Sequence, residues 1–404
     1  MIRWITDKLG TAAYSDAINI SEDFVILDVR NLVDKEGNTA SEVKSKIDEG
    51  VALLHNGNRV VVCCDYGKSR SNSIAAGILS VSECIRISDA VRKVMLVTGE
   101  SEIKIEMLQS IYNLYNTERS QDSRRHILVT GASGFIGSEL LRRMDDFDLI
   151  ALSSKDLDLS RDHVLLDLLV KEHHIDTIVH LANPRIYTTY DAFGKSLIML
   201  KTVLDVCASN NVHLVFCSTW NIYNGYKGSI LANENLKPVA KDSYGHAKML
   251  SENLIESYIE NKGLSVFVLR LCSIYGIGKD VPKFIWNFID KCRRNEDIIT
   301  HRYLNGSPRL DLLHIHDVVD AIEIAVRSND VGVYNIGGGI SVSTEEVAKI
   351  LVAKTGADSK ISYSLINDYT ANITMDSSKF SAKYGWHPKI SLEAGLDELL
   401  NWNK

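Results

Sequence analysis

The stretch His126 to Leu141, HILVTGASGFIGSELL, constrains the fold of this chain more than any other. A short apolar run, fit for a buried strand, ends in a glycine-rich turn, and a helix-like segment follows at once. Gly131, Gly134 and Gly137 have the spacing G-x-x-G-x-x-G, with Ser133, Phe135 and Ile136 among them. Glycine lets the turn close tightly and lets the backbone approach a pyrophosphate, while the helix N-terminus faces its charge. Three spaced glycines alone say little. Directly after an apolar strand they point to a dinucleotide site. The next strand, DLIALSS, ends without the Asp or Glu that would accept from the adenosine ribose of NAD. Ser153, Ser154 and Lys155 stand there, and two hydroxyls and a cation suit a 2′-phosphate. NADP is therefore slightly favoured over NAD.

Strand and helix patterns alternate from this point to the C-terminus, as in a parallel α/β sheet. A second, smaller strand-and-helix pattern precedes it. Between them Tyr115 to His126, YNTERSQDSRRH, is polar and lacks apolar periodicity. The expected organisation is a domain at 1–118, a linker at 119–125 and a domain at 126–404. The chain has 404 residues, room for two domains. Its net charge of -7 disfavours nucleic acid as a partner. No apolar run suits a membrane span, and the N-terminus lacks the apolar core of a secretory signal. Seven cysteines, none in a C-x-x-C pair, argue against a metal site or disulfide framework and for a reduced, cytoplasmic setting.

Two of those cysteines are adjacent in VVVCCDYGKSRSNS, Val60 to Ser73. Cys64 and Arg70 form C-x5-R, between an apolar strand and a helix-like run. Such a turn places consecutive backbone N–H groups, a guanidinium and a thiol around one point. The nest binds a tetrahedral anion, Arg70 grips its oxygens, and the positive surroundings favour the thiolate nucleophile.

This stretch resembles the C-x-x-G-x-S-R-S signature of dual-specificity and related cysteine phosphatases, and the resemblance extends over about residues 3–115. It implies a small phosphatase-like α/β domain acting on a phosphorylated protein or small molecule. Cys64 would carry a phosphocysteine and Ser71 would hydrogen-bond the departing thiolate. A loop Asp would protonate the leaving oxygen: Asp34 is the preferred candidate and Asp28, within a strand, its rival. The family's histidine before the nucleophile is replaced by Cys63. A phosphate-binding module without catalysis is the alternative.

In the larger domain, HLVFCSTWNIYNG precedes DSYGHAKMLSENLI. Tyr244 and Lys248 fall on one helix face, four residues apart. A neighbouring ammonium favours the phenolate of a tyrosine that would otherwise be a poor base. Thr219, at a strand end, could hold a substrate oxygen. Together with the glycine turn these residues resemble the extended short-chain dehydrogenase/reductase family, the sugar-nucleotide epimerases, dehydratases and reductases. The resemblance includes VHLAN at 179–183, LRLCSIYG at 269–276, RLDLLHIHDVVDAI at 309–322 and VYNIGGG at 333–339. It implies a Rossmann-type doubly wound sheet with a smaller C-terminal substrate lobe over a nucleotide-diphosphate sugar. Tyr244 and Lys248 would also touch the cofactor. Leu181 and Ala182 would line its site, and Asp158 with Leu159 would lie near the adenine.

Three departures bear on the reaction. Trp220 and Asn221 replace the Asp-Glu pair that the family's dehydratases carry after the Thr. Ser273 replaces a usual Asn. Arg309 stands two positions before Asp311, with Leu310 between, where the family often has Arg directly before Asp. The expected function is thus bifunctional: phosphomonoester hydrolysis, plus NAD(P)-dependent reduction or epimerisation of a nucleotide sugar. A ligand and cofactor sensor is the non-enzymatic alternative. The sequence leaves a homodimer open.

Overall fold

The computed structural model describes residues 1–402 except 21–22, 35–36, 101–102, 104–106, 108–123, 185–188 and 279–282. Most of the expected linker at 119–125 lies outside the described residues. The chain divides into two compact units, Met1–Ser123 with Leu157–His174, and Arg124–Asp156 with Ile175–Lys404. Among the described residues, no helix is long and apolar enough to cross a membrane.

The first unit is built on a four-stranded sheet in the order β1-β2-β4-β3. Its strands are β1 (Arg3–Trp4), β2 (Leu9–Ala13), β3 (Val25–Asp28) and β4 (Val60–Cys64). β4 pairs in parallel with both β2 and β3, and β1 closes the edge antiparallel to β2. All five residues of β4 are buried, as its unbroken apolar run demands. Helix α1 (Tyr14–Ala17) is a single turn, and helix α2 (Ala40–His55) starts at a capping box in which Thr39 and Glu42 satisfy each other's backbone N–H groups. Helices α3 (Arg70–Glu83) and α4 (Ile87–Thr98) follow β4. The first ten residues of α3 are buried, which its many small side chains (Ser71, Ser73, Ala75, Ala76, Gly77) permit.

In the second unit the central sheet has six strands: β5 (His126–Thr130), β6 (Asp148–Leu152), β7 (Thr177–His180), β8 (His213–Thr219), β10 (Val266–Leu271) and β14 (Gly332–Ile336). Their order is β14-β10-β8-β7-β5-β6, and every neighbouring pair is parallel. The chain runs outward from β5 to β6, then resumes at β7 on the other side. A crevice is expected at the C-terminal ends of β5 and β7, where this direction reverses. Helices α5 (Phe135–Arg143), α6 (Tyr190–Asn210) and α7 (Ser243–Lys262) belong to these crossovers. This is the doubly wound, Rossmann-type sheet that the alternating pattern predicts.

Small sheets make up the lobe. They use β9 (Gly228–Ala232), β11 (Ser273–Tyr275), β12 (Ile298–Tyr303), β13 (Arg309–His314), β15 (Ser341–Ser343), β16 (Ile361–Ile366) and β17 (Ala371–Met375). β9 pairs with β17, β12 with β16, and β13 lies between β11 and β15. One apolar cluster runs from Ile127 through Phe267 to Phe380 and joins the central sheet to the lobe's β17.

Candidate functional site

At the reversal point, Gly131 has φ +72, and a Cβ there would come within 2.7 Å of the Ala182 backbone nitrogen. A Cβ on Gly137 would meet the Gly131 carbonyl oxygen at 2.5 Å. The turn is thus packed backbone against backbone, as close approach to a pyrophosphate requires. Leu181 N donates to the Thr130 carbonyl and Ala182 N to Thr130 Oγ1 at 3.3 Å, so the ends of β5 and β7 are stitched together. Gly134 caps α5 without a side chain, and Phe135 and Ile136 lead its first turn. Ser133 lies in the turn itself. First-turn N–H groups have no acceptor within a helix, so this end is fitted to an anion. The residues present fit a dinucleotide.

The end of β6 holds a feature that the sequence reading passed over. Asp156 folds back onto Ser153, accepting from its backbone N–H at 2.8 Å and its hydroxyl at 2.6 Å. Lys155 is exposed. Asp158 and Leu159 fall in the segment grouped with the first unit. There Asp158 accepts from the backbone and hydroxyl of Ser160, and Leu159 is buried.

Thr219 ends β8 and is buried. Its Oγ1 caps the short turn Trp220–Tyr223 by accepting from Asn221 N. Asp242 starts α7 by accepting from Gly245 N at 2.7 Å and also holds Asn224 Nδ2 at 2.6 Å. A Cβ on Gly245 would meet the Asn221 carbonyl at 2.5 Å. The first turn of α7, carrying Tyr244, is therefore seated on the turn that leaves Thr219. One helical turn later, Lys248 Nζ donates to the Cys217 carbonyl at 2.8 Å and lies 4.5 Å from the centre of the Phe216 ring. Burial lowers the Lys248 ammonium to about 8. The end of β8 and the first two turns of α7, which carry Tyr244 and Lys248, thus lie side by side.

On the lobe side, Trp220, Cys272, Ser273, Leu310, Asp311 and Ile373 line a shallow recess. Burial pushes Asp311 up to about 6, against hydrogen bonds from the N–H groups of Met375, Gly338 and Gly339. Arg309 donates to the Ser341 carbonyl at 2.6 Å and pairs with Glu346 at 3.2 Å. Its guanidinium is thereby committed within the lobe. Asn221 lies in the Thr219 and Asp242 network, not in an acid-base pair.

In the first unit Cys64 ends β4, and its Sγ lies 3.4 Å from Ser71 Oγ. Burial alone would raise the Cys64 thiol. The Ser71 hydroxyl and the backbone N–H groups of Ser71, Lys68 and Tyr66 outweigh it, and the net shift is downward. Arg70, 9 % exposed, donates to the Arg30 and Leu32 carbonyls at 3.0 and 2.9 Å and pairs with Asp65 at 2.5 Å. Asp34 Oδ1 lies 3.7 Å from Arg70 Nε. Asp28 is instead held by Arg30, whose Nη2 donates at 2.7 Å, and this contact lowers its carboxyl. The structure thus places Ser71 beside Cys64 and Asp34 beside Arg70, and ties Asp28 to a different partner.

The sequence pattern of the NAD dependent epimerase/dehydratase family matches residues 127–337. The low-salt glycan biosynthesis protein Agl12 of Haloferax volcanii is 26% identical over 316 residues, covering 68% of this chain and 97% of that protein. A putative UDP-glucose 4-epimerase of Methanocaldococcus jannaschii is 25% identical, covering 69% of this chain and 98% of that protein. Among solved structures, MoeE5 in complex with UDP-glucose and NAD superposes with a TM-score of 0.58 at 26% identity, covering 69% of this chain and 98% of that one.

Proposed function

The chain belongs to the NAD dependent epimerase/dehydratase family, and on that premise we propose that its second unit reduces or epimerises a sugar carbon of a nucleoside diphosphate sugar. The observation that carries this reading is Lys248, anchored on the Cys217 carbonyl one turn from Tyr244 at the C-terminal end of β8. A bound NAD(P) supplies or accepts the hydride. Gly131, Gly134, Gly137 and the first turn of α5 hold its pyrophosphate. Tyr244 exchanges the proton of the sugar hydroxyl, Lys248 favours the phenolate, and Thr219 orients the same oxygen. Water elimination is disfavoured because Trp220 and Asn221 supply neither the acid nor the base it needs. The test is incubation with UDP- and dTDP-hexoses and NAD(P)H. Net oxidation of the reduced cofactor marks reduction, and sugar interconversion without net oxidation marks epimerisation. Absence of both outcomes across the panel defeats the reading.

The cofactor is NAD(P), and the choice between its two forms turns on Asp156. Ser153 and Lys155 favoured NADP on sequence. The Asp156 carboxylate on Ser153 puts an acceptor where a ribose hydroxyl can donate and a charge that repels a 2′-phosphate. MoeE5 was solved with NAD. NADH is therefore expected to bind about tenfold more tightly than NADPH, a difference of about 1.4 kcal/mol. Asp156→Ser should narrow or invert that ratio. Fluorescence titration with both cofactors checks it, and an unchanged ratio in the variant removes Asp156 from the assignment.

A separate observation supports a second activity in the first unit. The Cys64 thiol is lowered inside a loop whose Arg70 Nε and Ser69 Oγ have no hydrogen-bond partner among the described residues. Two buried donors and a thiolate around one point suit a phosphomonoester. Sulfur attacks phosphorus as the ester oxygen departs with a proton from Asp34. Water then attacks the phosphocysteine, Asp34 takes its proton, and phosphate and the Cys64 thiolate are released.

A further inference from the structure

The loop between Cys64 and Arg70 must hold its N–H groups inward against their mutual repulsion, so something must hold its carbonyls outward. The residue before the nucleophile does not. Cys63 is fully buried in a cluster with Ala12, Ala17 and Val61, and burial pushes its thiol up to about 12. The grip comes from the edge strand. Arg3, in β1, donates from Nη2 to the Gly67 carbonyl. Its Nη1 donates to the Thr98 carbonyl at 3.4 Å and to Glu100 Oε1 at 3.3 Å. Glu100 also lies 3.5 Å from Lys68 Nζ.

The Gly67 carbonyl and the Lys68 N–H belong to one planar trans peptide unit, so they point in opposite directions. A guanidinium that holds the oxygen on one side fixes the N–H on the other. The Lys68 backbone N–H is among the groups that lower the Cys64 thiol. The loop has little freedom to rearrange in another way. Gly67 has φ +67, and a Cβ there would come within 2.4 Å of the Ala12 and Ala13 backbone. β2 thus backs the loop from beneath, and β1, paired to β2 at Arg3 and Thr11, carries the arginine to its rim.

We propose that Arg3 is a positioning residue for the Cys64 loop, locking the Gly67–Lys68 peptide with its N–H turned toward the Cys64 sulfur and toward the oxygens of a bound phosphate ester. This rests on the phosphomonoester reading of the first unit and adds to it a residue more than sixty positions from the loop. The other charges around the thiol are placed differently. Arg70 faces the sulfur and is itself paired with Asp65 and Asp34. Lys68 and Arg3 share Glu100. Asp28 and Arg30 act on Cys63.

The test is alkylation of Cys64 by iodoacetamide as a function of pH in the full chain, read by mass spectrometry of the Cys64 peptide, since exposed Cys84 also reacts. Arg3→Gln is expected to raise the midpoint by about one pH unit, because the thiolate loses an aligned donor. Arg3→Lys, which keeps one donor, should fall between wild type and Arg3→Gln. On an aryl phosphate, kcat/KM of Arg3→Gln should drop about tenfold below the wild-type midpoint, where thiolate is scarce, and recover as pH rises past the new midpoint. An unshifted midpoint in folded Arg3→Gln overturns the proposal. If that variant does not fold, an unshifted midpoint in Arg3→Lys does so. Failure of the parent reading is distinguishable. A wild type that neither hydrolyses aryl phosphate nor is protected from alkylation by vanadate has no phosphate site, whatever the Arg3 variants do to the midpoint.

Discussion

Tyr244→Phe is expected to lower sugar-nucleotide turnover by about 10²–10⁴-fold, the usual worth of a positioned acid-base group, while the protein folds and binds NAD(P). The substitution removes a hydroxyl and little volume. Lys248 sharpens the test. Its ammonium titrates near 8 because burial disfavours the charge. As pH rises through that value the charge that favours the phenolate is lost. The pH profile of kcat/KM should therefore carry an alkaline limb with a midpoint near 8. Lys248→Ala should remove that limb and weaken cofactor binding as well. A Tyr244→Phe enzyme with wild-type turnover removes the tyrosine from the chemistry. A flat profile up to pH 10 removes the assigned role of Lys248.

The parts of this site that could be read from the sequence are those whose geometry is local. Gly131, Gly134 and Gly137 lie within a single turn, and their need for glycine arises from contacts with each other and with the next strand end. Tyr244 and Lys248 share a helix face because they are four apart. The parallel sheet followed from alternating strand and helix patterns, each confined to a short window. What escaped was set by pairings between distant segments. Arg3 reaches Gly67 only because β1 and β4 flank β2. Asp156 lies only three residues past Ser153, yet nothing in its spacing says that the chain turns back there. Asp311 collects N–H groups from Gly338, Gly339 and Met375, which are dispersed over the lobe. The lobe's pairs β9 with β17 and β12 with β16 join segments far apart in the chain, so no periodicity announces them. Asp34 is preferred to Asp28 from its loop context, and the structure adds only that Arg30 holds Asp28 while Asp34 lies 3.7 Å from Arg70 Nε.

Under the reading proposed for the first unit, Cys64→Ser should abolish hydrolysis of aryl phosphates while leaving phosphate binding largely intact. The serine hydroxyl is a far weaker nucleophile than a thiolate, but Arg70, Ser69 and the loop N–H groups remain to hold the anion. Arg70→Ala should lose both, because its Nε, without a hydrogen-bond partner among the described residues, is a donor to the anion and its contacts with the Arg30 and Leu32 carbonyls order the segment leading to Asp34. Asp34→Ala should slow hydrolysis of phenyl phosphate, whose phenoxide is a poor leaving group that needs the proton, much more than that of nitrophenyl phosphate, whose nitrophenolate departs as a stable anion. Asp28→Ala should show no such discrimination, since the hydrogen bond from Arg30 lowers that carboxyl and favours its charged form. The measurements are kcat for both esters in all four variants and vanadate binding by calorimetry. Wild-type turnover in Cys64→Ser rules out the thiol as nucleophile. Retained vanadate binding with no turnover in the wild type itself leaves a phosphate-binding module in place of an enzyme. Equal losses on the two esters in Asp34→Ala remove it as the acid, because a group that donates a proton to the leaving oxygen must matter most where that oxygen is most basic.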